Sequence, residues 1–532
     1  MWARNLLFVG FLLGGSAALL GNLLPAKARP TPVHAPPPHA EYEAAVKAVN
    51  TELQKQWAEQ KLTPTAAAPE LAIARRLSLA LTGTVPSLEE IRSFEGQPAE
   101  QRIQNYLEAI LQDRRFADYF AERFTRTFVG TEDGPFIVFR RRRFRAWISD
   151  ELMKHRPYDE MVRELIASEG LWTDKPPTNF VTVTYDPEKK KVDAERLAAR
   201  VARAFLGIRI DCAQCHDHPF QDWKQQDFHR LAAFFGQTHQ GFTGIYDGEG
   251  EHELENRRTG EKTPVQPQVP FEPNLVPQEG TRRQKLAAWL TNPRNPALAR
   301  ATVNRVWALM FSRPLVDPVD DLGSVEKLPK VLTILADDFA SHGYDLRRLI
   351  RVIAATEAFR RDSKSDGEIT EAHEATWAAF PLTRLRPEQV IGGLLQAGSL
   401  PTISEESHII TRLTRYAGEK DFVERYGDPG EDEFDTRAGT IPQRLLLMNG
   451  VIVHDRIKED LFNASSRIAD LSPSDAKAVE TAYLAVLTRR PTADEQQHFE
   501  TRIAGVQGDE RKRRLTDLYW TLLNSTEFSW NH

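Results

Sequence analysis

The chain has 532 residues, of which 41% are hydrophobic and 27% are charged, and its formal net charge at pH 7 is −6. This length allows two or more domains with ordinary buried cores, and the composition is that of a soluble globular protein. Because the net charge is small for the size, nothing global favours binding to nucleic acid or to an acidic membrane surface. Local motifs must therefore carry any functional assignment.

The N-terminus carries an apolar run over residues 6–24, preceded by Arg4 and followed by Ala26-Lys27-Ala28. The Ala-x-Ala pattern is an acceptable signal-peptidase site, which predicts a signal peptide over residues 1–28. The run is also almost long enough to span a bilayer, so an uncleaved anchor stays open as an alternative. Both alternatives predict export to the periplasm or cell surface, with membrane contact only through this anchor. Residues 29–40 then form a Pro-rich linker.

Past the linker the hydrophobic periodicity is overwhelmingly helical, which predicts a mainly α fold with few short strands. One helical stripe breaks at Gly83, after which a capping box at Ser87 and Glu90 starts the next helix. A second capping box, at Thr492 and Glu495, follows a similar break near the C-terminus. Residues 180–185 alternate between apolar and polar side chains, and this pattern predicts a strand.

A basic run at residues 140–145 resembles a nucleic-acid-binding patch. Phe144, Ile148 and Leu152 continue the same segment as a helical stripe, so we interpret the arginines as the solvated face of a helix. The sequence therefore predicts no nucleic-acid partner.

The two cysteines lie three positions apart and lead directly into a histidine, in the pentapeptide Cys212-Ala213-Gln214-Cys215-His216. This is the attachment pattern of a c-type haem. Two thiols at this spacing can add to the two vinyl groups of one porphyrin edge, and the following imidazole can bind the iron. We therefore predict one covalent haem c, with Cys212 and Cys215 as tethers and His216 as an axial ligand.

Two other interpretations of the motif stay open. The cysteines could form a disulfide, or zinc or another divalent metal could be held by some of Cys212, Cys215, His216, Asp217 and His218. Zinc fits less well, because a structural zinc site normally takes a second pair of ligands from a distant segment, and the chain has no second cysteine pair.

Helical stripes over residues 197–208 and 228–235 flank the motif, so it lies at a corner between two helices. Such a corner can present His216 to a haem lodged between helices. A sixth iron ligand is not evident from the sequence. The candidates are Met153, Met161, Met310, Met448 and His229, and residues of these types more often belong to a core or a helix surface.

Between residues 241 and 280 the helical pattern lapses and prolines recur at short intervals, which predicts an interdomain connection. Residues 41–240 then form one helical domain with the haem motif, and residues 281–532 form a second. A polar stretch at 418–440 predicts a surface loop. Within the second domain the sequence contains an acidic cluster, which we interpret as a structural turn: Asp317, Asp320 and Asp321.

Several motifs outside the pentapeptide are also distinctive. Residues 81–86 read Leu-Thr-Gly-Thr-Val-Pro, residues 172–174 read Trp-Thr-Asp, and residues 212–219 read Cys-Ala-Gln-Cys-His-Asp-His-Pro. Together they resemble the planctomycete-type cytochrome-like domain family of unknown function. Val-Asn-Arg-Val-Trp at 303–307 and Leu-Met-Asn-Gly at 447–450 resemble its usual companion domain. The resemblance covers about residues 70–532 and implies an architecture but no reaction.

Three functions are compatible with the sequence. The first is an exported c-type haem protein acting in electron transfer or redox chemistry with an envelope partner. The second is a non-enzymatic envelope or surface protein whose Cys-x-x-Cys-His-Asp-His corner is stabilised by a disulfide or a metal. The third is a metal-dependent enzyme of unknown reaction that uses His216, Asp217 and His218. We assign no catalytic residue from the sequence.

Overall fold

A computed structural model of the chain describes residues 39–131, 134–135, 139–255, 259–404, 419, 421–430, 432, 434, 439–460 and 463–532. The predicted signal peptide or anchor and most of the Pro-rich linker lie outside these residues, as do residues 418, 420, 431, 433 and 435–438 of the predicted surface loop at 418–440. In the described part of the chain, no helix combines the length and apolarity needed to cross a membrane.

The fold is mainly α, as the hydrophobic periodicity predicts. The helices before residue 240 are α1 (Glu43–Glu59), α2 (Glu70–Thr82), α3 (Leu88–Glu95), α4 (Arg102–Gln112), α5 (Arg114–Val129), α6 (Arg141–Met153), α7 (Tyr158–Ala167), α8 (Asn179–Thr182), α9 (Ala194–Val201) and α10 (Gln225–Ala232). A π turn (Ala202–Leu206) continues α9, and a 3₁₀ turn (Asp211–Gln214) follows it.

The second half of the chain continues as a series of helices. They are α11 (Arg282–Leu290), α12 (Ala297–Phe311), α13 (Lys330–Ser341), α14 (Leu346–Ala355), α15 (Glu357–Arg360), α16 (Glu371–Ala375), α17 (Pro387–Ala397), α18 (Ile441–Asn449), α19 (Val451–Ile457), α20 (Ala464–Leu471), α21 (Asp475–Leu487), α22 (Ala493–Ile503) and α23 (Gly508–Leu523).

The strands are short and pair two by two, all antiparallel. They are β1 (Tyr185–Asp186) with β2 (Lys191–Val192), β3 (Thr238–Gly241) with β4 (Gly244–Asp247), β5 (His252–Glu255) with β6 (Lys262–Val265), and β7 (Thr383–Arg384) with β8 (Trp530–Asn531). Two of these hairpins occupy the segment predicted as an irregular connection. Their strands are largely polar and partly exposed, so they lack the apolar alternation by which a strand is recognised.

Both predicted capping boxes are confirmed. The Ser87 hydroxyl accepts a hydrogen bond from the Glu90 amide at 3.0 Å, and the Glu90 carboxylate accepts one from the Ser87 amide at 2.8 Å. Thr492 and Glu495 make the same reciprocal pair at the start of α22. These bonds satisfy backbone donors that the first turn of a helix leaves without partners. The break before α3 is made by Gly83, whose φ of +69° suits a residue without a Cβ.

The strand predicted for residues 180–185 is wrong. Most of this segment forms α8 and the turn after it, and only Tyr185 enters a strand. Phe180, Val181 and Thr182 are all buried, so the segment has no solvent-facing side that alternation would report. Asn179 holds the start of α8 in place, because its side-chain amide donates to the carbonyls of Trp172 and Pro176.

The buried side chains form two main cores. The larger core takes residues from position 42 to position 380, together with Phe434, so it runs across the predicted connection at 241–280. The smaller core combines Leu79 and Val85 with residues from 385 to 528. Helix α2 belongs to both, because Leu77 and Leu81 face the larger core while Leu79 faces the smaller one. The division into domains 41–240 and 281–532 stays a prediction, and the cores do not separate at that segment.

A buried ion-pair network joins α5 to the start of α17. The Glu388 carboxylate accepts hydrogen bonds from Arg123 Nη1 and Arg386 Nε, each at 2.8 Å. Burial alone would raise the pKa of Glu388, but Arg123 and Arg386 outweigh it and lower the pKa to about 2. The carboxylate is therefore charged in the folded protein throughout the neutral range.

Replacing this carboxylate should destabilise the fold. We expect Glu388→Gln to lower the free energy of unfolding at pH 7 by about 3 kcal/mol, because it leaves buried arginines without their counter-charge. The measurement is urea unfolding followed by circular dichroism. Glu510→Gln is the matched control, since Glu510 pairs with Arg514 on an exposed helix face, where such a pair contributes about 0.3–0.5 kcal/mol.

The pH dependence of the same variant has a defined sign. A folded-state pKa below the unfolded one stabilises the protein above the unfolded value, and this contribution is lost as pH falls. The stability difference between wild type and Glu388→Gln should therefore shrink as the pH falls from 4.5 towards about 2. A difference that stays constant over this range, or a loss no larger than that of the control, would contradict the role assigned to Glu388.

Candidate functional site

The haem motif lies on a tight turn between α9 and α10, as the flanking stripes predict. After the π turn, Gly207 reverses the chain at a φ of +64°, and its amide carbonyl accepts a hydrogen bond from the Leu322 amide at 2.7 Å. The 3₁₀ turn (Asp211–Gln214) begins four residues later and is held to the π turn by Arg203, which donates to the Asp211 carboxylate at 2.9 Å. Ala213, within this 3₁₀ turn, is fully buried.

Cys212 and Cys215 are exposed on this turn. The Cys215 amide donates to the Cys212 carbonyl at 3.4 Å, which keeps the 3₁₀ geometry up to the second cysteine. Side chains three positions apart eclipse each other in a 3₁₀ turn, so both thiols project from the same side. A planar ligand that approaches from solvent can therefore reach both sulfur atoms.

His216 is exposed and its ring orientation is fixed. Nδ1 lies 2.7 Å from the carbonyl oxygen of Asp217. A carbonyl oxygen only accepts, so Nδ1 carries the proton and Nε2 keeps its lone pair in the neutral ring. Metal-bound histidines typically use their second nitrogen in this way. The residues present therefore fit a haem, with two thiols on one side of the turn and a nitrogen lone pair on the next residue.

Asp217 and His218 hold the chain between the motif and α10. The Asp217 carboxylate accepts from the Gln225 amide at 2.9 Å, and this hydrogen bond is the main reason that the pKa of Asp217 is lowered. His218 Nδ1 accepts from the amides of Phe220 and Gln221 at 3.2 and 3.0 Å. The Nδ1 lone pair of His218 is thus used by two backbone amides and is not open to a metal ion.

The metal alternative can be examined by asking which ligand atoms converge. In the part of the chain that the structure describes, one group of three or more His, Cys, Asp or Glu side chains has ligand atoms within 4.8 Å of one another, namely Glu195, His229 and His252. Neither the cysteines nor His216, Asp217 and His218 belong to it. A site formed by the motif's own residues stays a prediction.

Both ring nitrogens of His229, a candidate sixth ligand, lie close to other protein groups. It is buried, its Nε2 donates to the Gln214 carbonyl at 3.2 Å, and its Nδ1 lies 3.0 Å from His252 Nε2. Met161 and Met310 are fully buried in the larger core, Met153 packs against that core, and Met448 is exposed. The sequence analysis did not single out Glu195 or His252, because each stands alone on its own element and no local motif marks either of them.

The acidic cluster forms a structural turn that contacts both flanks of the motif. Asp320 accepts from Arg209 Nε at 2.7 Å, upstream of the cysteines. Asp321 accepts from Gln221 Nε2 at 3.0 Å, downstream of them. The buried side-chain amide of Asn304 holds this acidic turn in place through hydrogen bonds to the backbone of Val316 and Val319. The interpretation of these aspartates as a structural turn agrees with these contacts.

Comparison with known families covers most of the chain. Residues 48–240 match the family model PSCyt2, described as a protein of unknown function (DUF1549), and residues 282–503 match PSD1, a protein of unknown function (DUF1553). No curated protein and no solved structure matches the chain. The first match contains the pentapeptide and the second contains the Asn304 segment, as the resemblance implies. The chain therefore belongs to the planctomycete cytochrome-like family, with the family's companion domain following the cytochrome-like domain.

Proposed function

We propose that this protein is an exported c-type haem protein that transfers electrons outside the cytoplasm. The observation that carries the proposal is the arrangement on the turn. Cys212 and Cys215 are both exposed on it, and His216 donates its Nδ1 proton to the Asp217 carbonyl. This hydrogen bond leaves Nε2 as the nitrogen that binds iron. Membership of a family of cytochrome-like domains supports the same reading.

The chain's own residues then have distinct roles. Cys212 and Cys215 would hold a haem through thioether bonds to its two vinyl groups, and His216 would bind its iron. A haem held there supplies a one-electron couple close to the protein surface. Asp217, His218 and Arg203 keep the turn in place through hydrogen bonds to the backbone of the segment or to Asp211.

An exposed aromatic side chain next to the motif supports exchange with a partner. Phe220 is 91% exposed and lies four residues after His216. Aromatic side chains are enriched where proteins contact one another. We therefore propose that an envelope redox partner approaches the side of the turn that carries Phe220.

Covalent attachment can be tested directly. We expect the full-length chain, produced together with a c-type haem maturation system, to gain the mass of one haem that survives denaturation. The double variant Cys212→Ala, Cys215→Ala should gain none, because both thioether sulfurs are gone. His216→Ala should alter the absorbance of the reduced protein, because the axial nitrogen is lost. Intact-mass and absorbance spectra are the measurements.

His498→Gln is the matched histidine control, because His498 is exposed on α22, and it should keep both the haem mass and the spectrum of the reduced protein. Two results would refute the proposal. Unmodified protein that purifies with stoichiometric zinc, and that loses this zinc in the Cys212→Ala, Cys215→Ala variant, would support the metal site at the motif. Protein lighter than the reduced chain by two hydrogen masses, without metal, would support a disulfide staple.

Export is tested by following the N-terminus. We expect the protein in the periplasmic or surface fraction to begin at Arg29, because Ala26-x-Ala28 provides the small residues that signal peptidase requires. Ala28→Arg should block cleavage and leave the chain in the membrane fraction. Fractionation with N-terminal sequencing gives the answer. An intact chain found in the cytoplasmic fraction would contradict export.

A further inference from the structure

A second group of metal-ligating side chains lies beside the haem motif and has no role in the proposed function. Glu195 stands in the first turn of α9, His229 in the middle of α10, and His252 at the start of β5. Three elements that are separate in sequence thus bring two imidazoles and a carboxylate together. His229 is 3% exposed and His252 is 9% exposed, while one third of the Glu195 side chain is exposed.

The spacing of the ligand atoms suits one metal ion. His229 Nδ1 lies 3.0 Å from His252 Nε2, and Glu195 Oε1 lies 3.8 Å from the first nitrogen and 4.0 Å from the second. Bonds of about 2.1 Å at tetrahedral or right angles place neighbouring donor atoms about 3.0–3.4 Å apart. Small movements of the partly exposed Glu195 side chain are sufficient to complete the triangle.

Hydrogen bonds from Gln214 orient two of the three side chains. The Gln214 carbonyl accepts from His229 Nε2 at 3.2 Å, so the Nδ1 of the neutral ring keeps its lone pair towards the group. The Gln214 side-chain amide donates to Glu195 Oε2 at 2.6 Å, which leaves Oε1 facing the histidines. Ligating histidines and carboxylates in metalloproteins are typically held by outer-shell partners of this kind.

A plain hydrogen-bonded histidine pair does not account for the whole arrangement. His252 Nε2 can donate to His229 Nδ1, but Glu195 Oε1 lies beyond hydrogen-bond distance of both nitrogens. Burial, and then the proximity of His229, lowers the pKa of His252, which favours the neutral ring. Neutral imidazoles bind metals and protonated ones do not.

The backbone at Gly236 allows β5 to lie close to the segment after α10. A Cβ on Gly236, just after α10, would lie 2.6 Å from the His252 backbone nitrogen. Only glycine at this position lets β5 come close enough to place His252 beside His229. The backbone contact at Gly236 therefore brings the start of β5 beside the segment that follows α10. No sequence motif around His252 indicates this contact.

The geometry points to a binding site for a divalent first-row transition-metal ion, held by His229 Nδ1, His252 Nε2 and Glu195 Oε1. Two histidines and one carboxylate are a donor set that both zinc and ferrous iron accept. Three protein ligands leave a coordination position for water or a small molecule, and the exposed side of Glu195 gives it access from solvent. This inference is independent of the proposed haem, since it uses none of the three residues that would hold one.

The test uses the full chain with Cys212→Ala and Cys215→Ala, so that neither a haem nor thiols can account for bound metal. After treatment with a chelator, the protein is dialysed against Zn²⁺ alone or Fe²⁺ alone under anaerobic conditions. We expect one ion per chain and a rise in the melting temperature, because the metal binds the folded state. Glu195→Gln in the same background should weaken metal binding by more than about 100-fold. Loss of a residue that only orients a ligand weakens binding by at most about that factor.

Glu253→Gln is the matched control, because Glu253 is exposed on the next residue of β5 and should leave the affinity unchanged. His252→Gln provides a second ligand variant, and circular dichroism of the metal-free proteins shows whether each remains folded. Wild-type-like affinity in a folded Glu195→Gln or His252→Gln protein would overturn the inference. The same holds if the parent chain takes up no stoichiometric metal.

Discussion

The side chain of Asn304 fixes the part of the structure on which the candidate site depends. Asn304 is fully buried in α12, and its amide makes three hydrogen bonds to the backbone of Val316 and Val319. These bonds hold the acidic turn in one conformation. The carboxylates of that turn bind Arg209 before the cysteines and Gln221 after them. The conformation of the motif therefore depends on an amide about ninety residues away, in the segment matched by the companion-domain model.

Helix α2 is the second element that connects distant parts of the chain. Its buried Arg75 donates to the carbonyls of Val486 and Phe528, and its buried Arg76 donates to those of Phe359, Arg361 and His532. A guanidinium offers five donors, so one side chain can satisfy several carbonyls at helix ends. Helix α2 thus holds the C-terminus in place, and it contributes buried side chains to both cores.

The sequence analysis succeeded where the relevant physics is local. A capping box uses residues three positions apart, so Ser87 and Glu90 are recognised without a fold. The helical stripes on either side of residues 212–216 likewise predict that this segment lies between two helices. It failed at residues 180–185, because burial on all sides erases the solvent-facing period that distinguishes a strand. It did not find Glu195 and His252, because their proximity depends on how α9, α10 and β5 pack, and no pattern within any one of these elements reports it.

Gln214 occupies a position that the Cys-x-x-Cys-His pattern leaves unspecified, yet its carbonyl and its side chain contact His229 and Glu195. Gln214 also lies between the two cysteines in the sequence. Where one ligand changes the affinity for another, the effect is reciprocal. If both proposals hold, a metal ion bound by Glu195 and His229 would change the surroundings of a haem held by the cysteines, and the haem would change the affinity for the metal. The spacer of the motif would then be the contact between the two sites.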